Sequence, residues 1–397
     1  MTDIMISVEA ARARITAALL PLKAEPCTLI EAPGRTLAEP VIATLTQPPF
    51  AASAMDGYAV HSRDLGDTPK RLALQGESAA GHGFGLALKP GHAIRISTGA
   101  PMPQGADQVV MQERAVRDGN HITLDDTPRP ASNVRGAGID FNAGDILLPS
   151  GSLLSPDAVA LAAGAGLKEL AVHRRPRVGI LSTGDELVEP GQTPGPHQII
   201  NSIAWGLDAL VRQWGGEPVY LGIARDSKAD VRAKLEATQG LDLVVTIGGA
   251  SVGDHDHLRQ VFNALGGQLE FGKIAVKPGK PSWFGRLGET AFLGLPGNPV
   301  SSLVMARLLL QPALAILCGR PESLEFATVI LGEDLPANGM RENFIRARID
   351  RQTGRVHPHG NQDSSALSAL VHSNALIRRE VEAPAARAGE MTQILPL

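Results

Sequence analysis

Apolar residues recur along this chain at two different periods, and the change from one to the other divides it. Near the start, Ser7 stands where a helix cap would be. Val8, Ala11, Ile15, Ala18 and Leu19 follow at helical spacing until Pro21 interrupts them. A short strand is expected at 28–30. From about 47 to 142 the pattern shifts to short apolar runs broken by Gly and Pro. These include a hairpin expected to run from 109–114 through Asp118-Gly119-Asn120 into 121–124. Ser155-Pro156 then opens another helix, with Pro at its first position, before an extended run at 168–172.

Beyond Arg177 the chain alternates. Strands are expected at 177–183, 218–223, 241–247, 269–276, 282–287 and 290–295, with helices at 202–214, 228–238, 256–265 and 299–317. In the first of these helices Asn201-Ser202 reads as the cap and Gly215-Gly216 as the end. Ile203, Leu207, Leu210, Val211 and Trp214 share one face. Such alternation implies an α/β region with a mostly parallel sheet covered on both sides. After about Pro321 the helical signal fades into a small β module.

Composition narrows the picture. A chain of 397 residues exceeds the size of one hydrophobic core, so two to four domains are expected. The 43 glycines and 29 prolines, with only 4% aromatics, favour many turns and close backbone approaches. A formal net charge of −4 supplies no broad basic field for nucleic acid or an anionic membrane, so any anionic ligand must be held locally. Cys27 and Cys318 are the only cysteines, too few for a disulfide framework or a thiolate metal cluster, which fits a reducing cytoplasm. Met1-Thr2-Asp3-Ile4-Met5 does not read as a secretory signal, and no uninterrupted apolar run approaches a membrane span. A soluble, cytoplasmic protein is expected.

Open α/β sheets bind ligands beyond the carboxyl ends of their strands, and here those ends carry unusual residues. The apolar run 241–247 empties into Gly248-Gly249-Ala250-Ser251-Val252-Gly253-Asp254-His255-Asp256. Glycines let backbone N–H groups approach a phosphate, and neighbouring carboxylates repel unless a cation joins them. The 177–183 strand leads to Asp185-Glu186, adjacent acids of the kind that hold Mg²⁺ together with substrate oxygens. Asp226 adds a further strand-end carboxylate. Lys277-Pro278-Gly279-Lys280-Pro281 is a turn that can aim both ammonium groups at one oxyanion, and Pro296-Gly297-Asn298-Pro299 is a helix start that can cap itself or receive an anion. Asp56 and Thr98 lie in Gly-containing loops that each have a plausible turn-forming role. His255, His257, His357 and His359 read as ordinary exposed histidines, and Cys318 as core. Gly81-His82-Gly83-Phe84-Gly85 lacks dinucleotide-loop spacing and no Walker A sequence is present, which disfavours Rossmann oxidoreductases and P-loop NTPases.

Taken together, several strings resemble a known family, the molybdopterin molybdotransferases of the MoeA and gephyrin E-domain group. They are Ser53-Ala54-Met55-Asp56-Gly57-Tyr58-Ala59, Thr98-Gly99-Ala100-Pro101, Leu181-Ser182-Thr183-Gly184-Asp185-Glu186-Leu187, the 248–256 loop, the 277–281 turn, Leu295-Pro296-Gly297-Asn298-Pro299-Val300-Ser301-Ser302, Arg341-Glu342-Asn343-Phe344-Ile345-Arg346-Ala347 and Ser364-Ser365. The resemblance implies a discontinuous linker domain (1–48 plus 143–175), a β-rich insert (49–142), a MogA-like α/β domain (176–322) and a C-terminal β-barrel (323–397). It also implies a homodimer in which the insert bearing Asp56 faces the other subunit's α/β cleft. The activity implied is insertion of molybdenum from molybdate into adenylylated molybdopterin, with Mg²⁺-dependent release of AMP. Asp56, Thr98, Glu186, Asp226 and Asp256 would be catalytic, with Glu186, Asp226 and Asp256 holding Mg²⁺. Asp185, Gly248, Gly249, Ser251, Gly253, Pro296, Asn298 and Pro299 would bind the pterin substrate or shape its site. Lys277, Lys280, Arg341 and Ser364 would bind molybdate, with Ser251 nearby. A molybdopterin adenylyltransferase and recipient molybdoenzymes are the partners implied.

Some positions depart from the family pattern. Ala250 stands where Val is common, Ile139 replaces a frequent Glu, and Asp363 puts a negative charge beside Ser364 that weakens anion binding unless it turns away or pairs with Arg341. The alternative activities are adenylylation of molybdopterin and a non-catalytic scaffold. The long segments outside the α/β region argue against the first, and the acids and lysines at the strand ends against the second.

Overall fold

The computed structural model of the protein describes residues 5–66, 69–125, 129, 131–249, 257–322 and 324–397. The first helix, Val8–Ala18, is capped as its sequence predicts, the Ser7 hydroxyl accepting from Ala10 N at 3.0 Å. The strand expected at 28–30 lies earlier, at Ala24–Thr28, antiparallel to Glu169–His173. A turn closed by Glu31 N to Thr28 O at 3.1 Å ends it and leaves Ile30 exposed. Together with the pairing of Val41–Ile42 to Ile146–Leu148, this joins the chain segments on either side of the β-rich region.

That region is a six-stranded sheet with Gln108–Met111 at one edge and Ala115–Asp118 at the other. The hairpin is one element later than expected. His121–Leu124 pairs with Ala115–Asp118, whereas Gln108–Met111 pairs with Gly57–Val60. The cause is the loop. Asp118 faces His121 across the two residues Gly119 and Asn120, with Gly119 at φ +59°, so the partner strand is fixed as the residues just before the turn.

The central sheet runs Glu217–Ala224, Arg177–Thr183, Leu243–Ile247, Thr290–Leu295, Trp283–Leu287, Gln268–Phe271. Its first three pairings are parallel and the last two antiparallel. Alternate residues of the middle strand enter opposite cores, Val245 on one side and Val244 on the other, which explains its unbroken apolar run. The strand expected at 269–276 is two elements. Gln268–Phe271 stays at the sheet edge, and Val276–Lys277 leaves it to pair in parallel with Glu342–Asn343 of the C-terminal module.

The long apolar helix is continuous from Pro299 to Leu317 but widens to a π-turn over Ala306–Leu310, just before Pro312, whose ring nitrogen has no proton to donate. It is long and apolar enough to cross a membrane, yet 72% of its most apolar window is buried within the protein. Beyond it, Ala327–Leu331, Glu342–Ile349, Arg355–Pro358, Ala375–Arg379 and Met391–Pro396 close into a five-stranded barrel, Glu342–Ile349 pairing with both Arg355–Pro358 and Ala375–Arg379. Closure leaves no open edge and encloses Leu331, Ala347, Val356, Ile377 and Ile394. Cys27 and Cys318 are both buried and free.

Candidate active site

Parallel strands end on one side of the sheet, and their loops meet there around a cavity of about 380 Å³. Glu186 and Asp226 both line it, opposite the backbone of Gly248, Gly249 and Gly297. The glycines are required by geometry. Gly248 (φ +83°) lies against Thr183, whose Oγ1 and carbonyl would sit 2.9 and 3.0 Å from any added Cβ. Gly184 (φ +138°) lies beneath the Glu186 carboxylate, and a Cβ there would stand 2.1 Å from its Oε2.

Two loops brace each other at this rim. Asp185 N donates to the Asp226 carboxylate at 3.4 Å, and Asp226 N to that of Asp185 at 3.3 Å. The Arg225 guanidinium donates to the carbonyls of Asp185 and Leu187, both at 3.3 Å. It thus fixes the backbone without neutralising the acids. Asp185 shapes the loop and does not line the cavity.

A second cavity, of about 650 Å³, lies where the α/β sheet meets the barrel, and its charge is opposite. Lys277, Lys280, Arg341 and Ser364 all face into it. The lysine turn is closed by Ile274 N to Lys280 O at 2.9 Å and by the Ser282 hydroxyl to Gly279 O at 2.9 Å. Gly279 (φ +118°) packs on Met305. Arg341 reaches the cavity because the Val276–Lys277 strand lies beside Glu342–Asn343, with Lys277 opposite Asn343.

Asn298 is the hinge between the two cavities. It occupies the N-cap position of the helix beginning at Pro299, yet its side chain makes no capping bond there. Its amide donates instead to the Ser364 hydroxyl at 3.0 Å. Pro296 and Asn298 line the basic cavity, while Gly297 and Pro299 line the acidic one. A single four-residue turn is therefore the shared wall.

Asp363 also lines the basic cavity, but its carboxylate is engaged locally. Its carboxylate accepts from the Ser365 hydroxyl at 2.6 Å and Ser365 N at 2.8 Å, and these bonds hold its pKa below the ordinary carboxylate range. No pairing with Arg341 occurs. Asp56 and Thr98 line neither cavity; they sit together on the β-rich sheet, where Thr98 N and its hydroxyl donate to Asp56 Oδ1 at 2.6 and 2.9 Å and lower the Asp56 pKa. Ser251, Gly253 and Asp256, like Ala250 and His255, lie outside the described residues.

Several contributors have no role that the sequence assigns, although Thr183 and Arg346 stand within strings that carry the resemblance. Thr183 supports both glycines through Oγ1 to Ile247 O at 3.2 Å, and buried Asn201 does not cap its helix but accepts from the Ser182 hydroxyl at 2.9 Å and donates to Tyr220. Arg346, 1% exposed, donates to the carbonyls of Asn361 and Asp363, both at 3.2 Å, and so holds the loop that carries Ser364. Burial lowers its pKa. His359 accepts from Asn361 N, and His357 contacts Glu333. Among the described residues no group of three or more His, Cys, Asp or Glu is gathered for a metal.

Comparison with known proteins decides the family. The MoeA N-terminal region (domain I and II) matches residues 6–166, a probable molybdopterin binding domain matches 179–316, and the MoeA C-terminal region (domain IV) matches 328–397. A molybdopterin molybdenumtransferase of Haemophilus influenzae is 37% identical over 99% of this chain and 98% of its own. The chain belongs to the MoeA family. A Nostoc molybdopterin molybdenumtransferase is likewise 37% identical, over 86% of this chain and 82% of its own. The crystal structure of a molybdopterin biosynthesis MoeA protein from Pyrococcus horikosii superimposes with a TM-score of 0.84 at 28% identity, covering 99% of each chain. In this MoeA chain the acidic cavity and the lysine turn fall in the matched molybdopterin binding domain, Asp56 and Thr98 in the N-terminal region, and Arg341 and Ser364 in the C-terminal region.

Proposed function

We propose that this chain is a molybdopterin molybdotransferase, which inserts molybdenum from molybdate into adenylylated molybdopterin and releases AMP. The observation that carries the proposal is the pair of oppositely charged cavities on either side of the Pro296-Gly297-Asn298-Pro299 turn. Molybdate is a tetrahedral dianion, and Lys277, Lys280, Arg341 and the Ser364 hydroxyl offer it charge-assisted hydrogen bonds. The cavity-lining backbone at Gly248 and Gly249 suits a phosphate on the neighbouring substrate. Glu186 and Asp226 share one cavity and lack a described cationic partner, so they suit a hard divalent cation, which needs only one or two protein carboxylates when phosphate and water complete its shell.

Glu186, Asp226 and Asp256 would hold Mg²⁺, which when bound neutralises the diphosphate and polarises it for cleavage. The lysine turn orients molybdate against the dithiolene end, and the glycine backbone fixes the phosphate end, so positioning does most of the work. Asp56 and Thr98, which line neither cavity of their own chain, act in this reading across a homodimer on the partner subunit's cleft. A cytoplasmic location, supply of substrate by a molybdopterin adenylyltransferase and delivery to recipient molybdoenzymes belong to the same reading.

The test is incubation with adenylylated molybdopterin, Mg²⁺ and molybdate. Release of AMP together with formation of molybdenum cofactor is expected. Consumption of ATP and free molybdopterin in their place would make the protein an adenylyltransferase, and no turnover of either kind a scaffold.

A further inference from the structure

The basic cavity lies where two modules meet, and one short parallel pairing anchors that junction, Val276 opposite Glu342 and Lys277 opposite Asn343. Glu342 N donates to Ala275 O at 2.9 Å, and Arg341 Nη1 reaches Val276 O at 3.5 Å. Arg341 and Asn343 face the basic cavity, whereas Glu342 between them faces a different space behind the junction, a cavity of about 430 Å³. Phe344, 1% exposed, lines both.

In that rear cavity Glu342 is only 8% exposed, and Arg378 answers its charge. Arg378 Nε donates to Glu342 Oε1 at 2.5 Å, Nη1 donates to Gln393 at 3.1 Å, and the guanidinium lies over the Phe326 ring, 4.7 Å from its centroid. Beside them Arg12 of the first helix is paired with Glu322. Three parts of the chain therefore converge behind the residues that face the anion.

We infer that Arg378 is a positioning residue for the oxyanion cavity: by pairing with Glu342 it keeps that carboxylate at the rear of the junction and so seats the strand with Arg341 facing the anion. A buried carboxylate deprived of its partner seeks the nearest cation or drags its strand toward water. The other cation of the rear cavity, Arg12, is already paired with Glu322, and Arg341 leaves the opposite face of the strand. Loss of Arg378 therefore displaces the strand itself and moves the Arg341 guanidinium away from the anion. The inference rests on the proposed assignment of the basic cavity to molybdate.

The experiment compares the full-length protein with Arg378→Met and with the double variant Arg378→Met/Glu342→Gln. Molybdate binding is measured by calorimetry, the KM for adenylylated molybdopterin by AMP release, and folding by thermal denaturation. Arg378→Met is expected to weaken molybdate binding about tenfold with the pterin KM unchanged, and the double variant, which lacks the orphaned charge, to recover most of that loss. Unchanged molybdate affinity in Arg378→Met would overturn the inference. So would equal losses in both ligands, or a double variant no better than the single one. If Arg378→Met fails to fold, the double variant decides alone: near-native molybdate affinity supports the inference and a tenfold loss overturns it. Failure of the unaltered protein to bind molybdate would instead overturn the functional assignment itself.

Discussion

The acidic and basic cavities share a wall but are built by different means. Glu186, Asp226, Gly248 and Gly249 all sit at the ends of neighbouring parallel strands, so the sheet alone brings them together. Lys277 and Lys280 belong to the α/β module and Arg341 and Ser364 to the barrel, and they meet through contacts between modules, among them the two-residue strand pairing, the Asn298–Ser364 hydrogen bond and Val300 N to Ser364 O at 3.0 Å. One region inherits its geometry from secondary structure, the other from docking. The first should therefore tolerate disturbance of the barrel, and the second should not.

The largest effect should come from Asp226→Ala. It removes an exposed carboxylate, so the fold persists while AMP release falls on the order of 100-fold, as when one charge-stabilising group is removed from an active site. Removal of Mg²⁺ by a chelator should reproduce it. Molybdate affinity, measured by calorimetry, should stay within about twofold, since one tenfold step is already ~1.4 kcal/mol. Joint loss of both would reduce the two regions to one.

Lys277→Ala is the mirror experiment. Loss of one charge-assisted hydrogen bond, about 1.5–3 kcal/mol, should weaken molybdate binding at least tenfold. The KM for adenylylated molybdopterin should not move, and a parallel rise in it would erase the distinction.

These two regions also differ in how far the chain alone discloses them. Alternation of apolar runs and helical patterns from Arg177 onward predicts the central sheet, and the rule that ligands bind beyond carboxyl strand ends then brings Glu186, Asp226 and the glycines to one place. No periodicity predicts that the run 269–276 breaks, sending Val276–Lys277 to another module, because strand propensity does not say which edge a strand will join. Lys277 and Arg341 came together in the sequence only through family resemblance. The expected hairpin takes the wrong strand for a local reason: Val109-Val110 carries the stronger apolar signal, whereas the true partner, 115–118, is mostly exposed and has Val116 as its one β-branched residue. Asn298 is legible as a cap by residue type, but its Nδ2 is turned to the Ser364 hydroxyl and its Oδ1 accepts from no backbone N–H of the helix. Buried Arg346 stands in a string that carries the resemblance, but its structural role is not legible there, since an arginine's burial depends on carbonyls 15 and 17 residues away in the chain that only the closed barrel supplies.

A smaller change sharpens the acidic side. Gly184→Ala places a Cβ where the Glu186 carboxylate now lies, at a φ of +138° that strains any other residue. AMP release should fall roughly tenfold at saturating Mg²⁺, with a stability loss of about 1 kcal/mol by urea unfolding. Wild-type turnover would mean that Glu186 is dispensable.

Asn298→Ala probes the shared wall. Because the side chain does not cap its helix, the stability loss should fall short of the ~1 kcal/mol typical of a lost cap. Molybdate affinity should drop a few-fold through Ser364, and a full capping loss in thermal denaturation would contradict the observed geometry.

The smallest effect concerns Asp56. Thr98 N–H and hydroxyl lower its pKa, so the ionised form and the interactions it makes are retained at ordinary acid pH and lost only as pH falls through the lowered value. Thr98→Val removes the hydroxyl bond and should move that loss upward, toward the ordinary carboxylate range. A ¹³C-carboxylate NMR titration reads it directly, and an unshifted midpoint would exclude the hydroxyl's contribution.

The central claim is that two distinct charged chambers, separated by the Pro296-Gly297-Asn298-Pro299 turn, divide the metal from the oxyanion. Anomalous diffraction from crystals carrying Mn²⁺, tungstate and adenylylated molybdopterin measures this in one map. The account predicts a manganese peak at Glu186 and Asp226 and a tungsten peak among Lys277, Lys280, Arg341 and Ser364. Both peaks on the same side of the turn, or tungsten bound away from those four side chains, would contradict it.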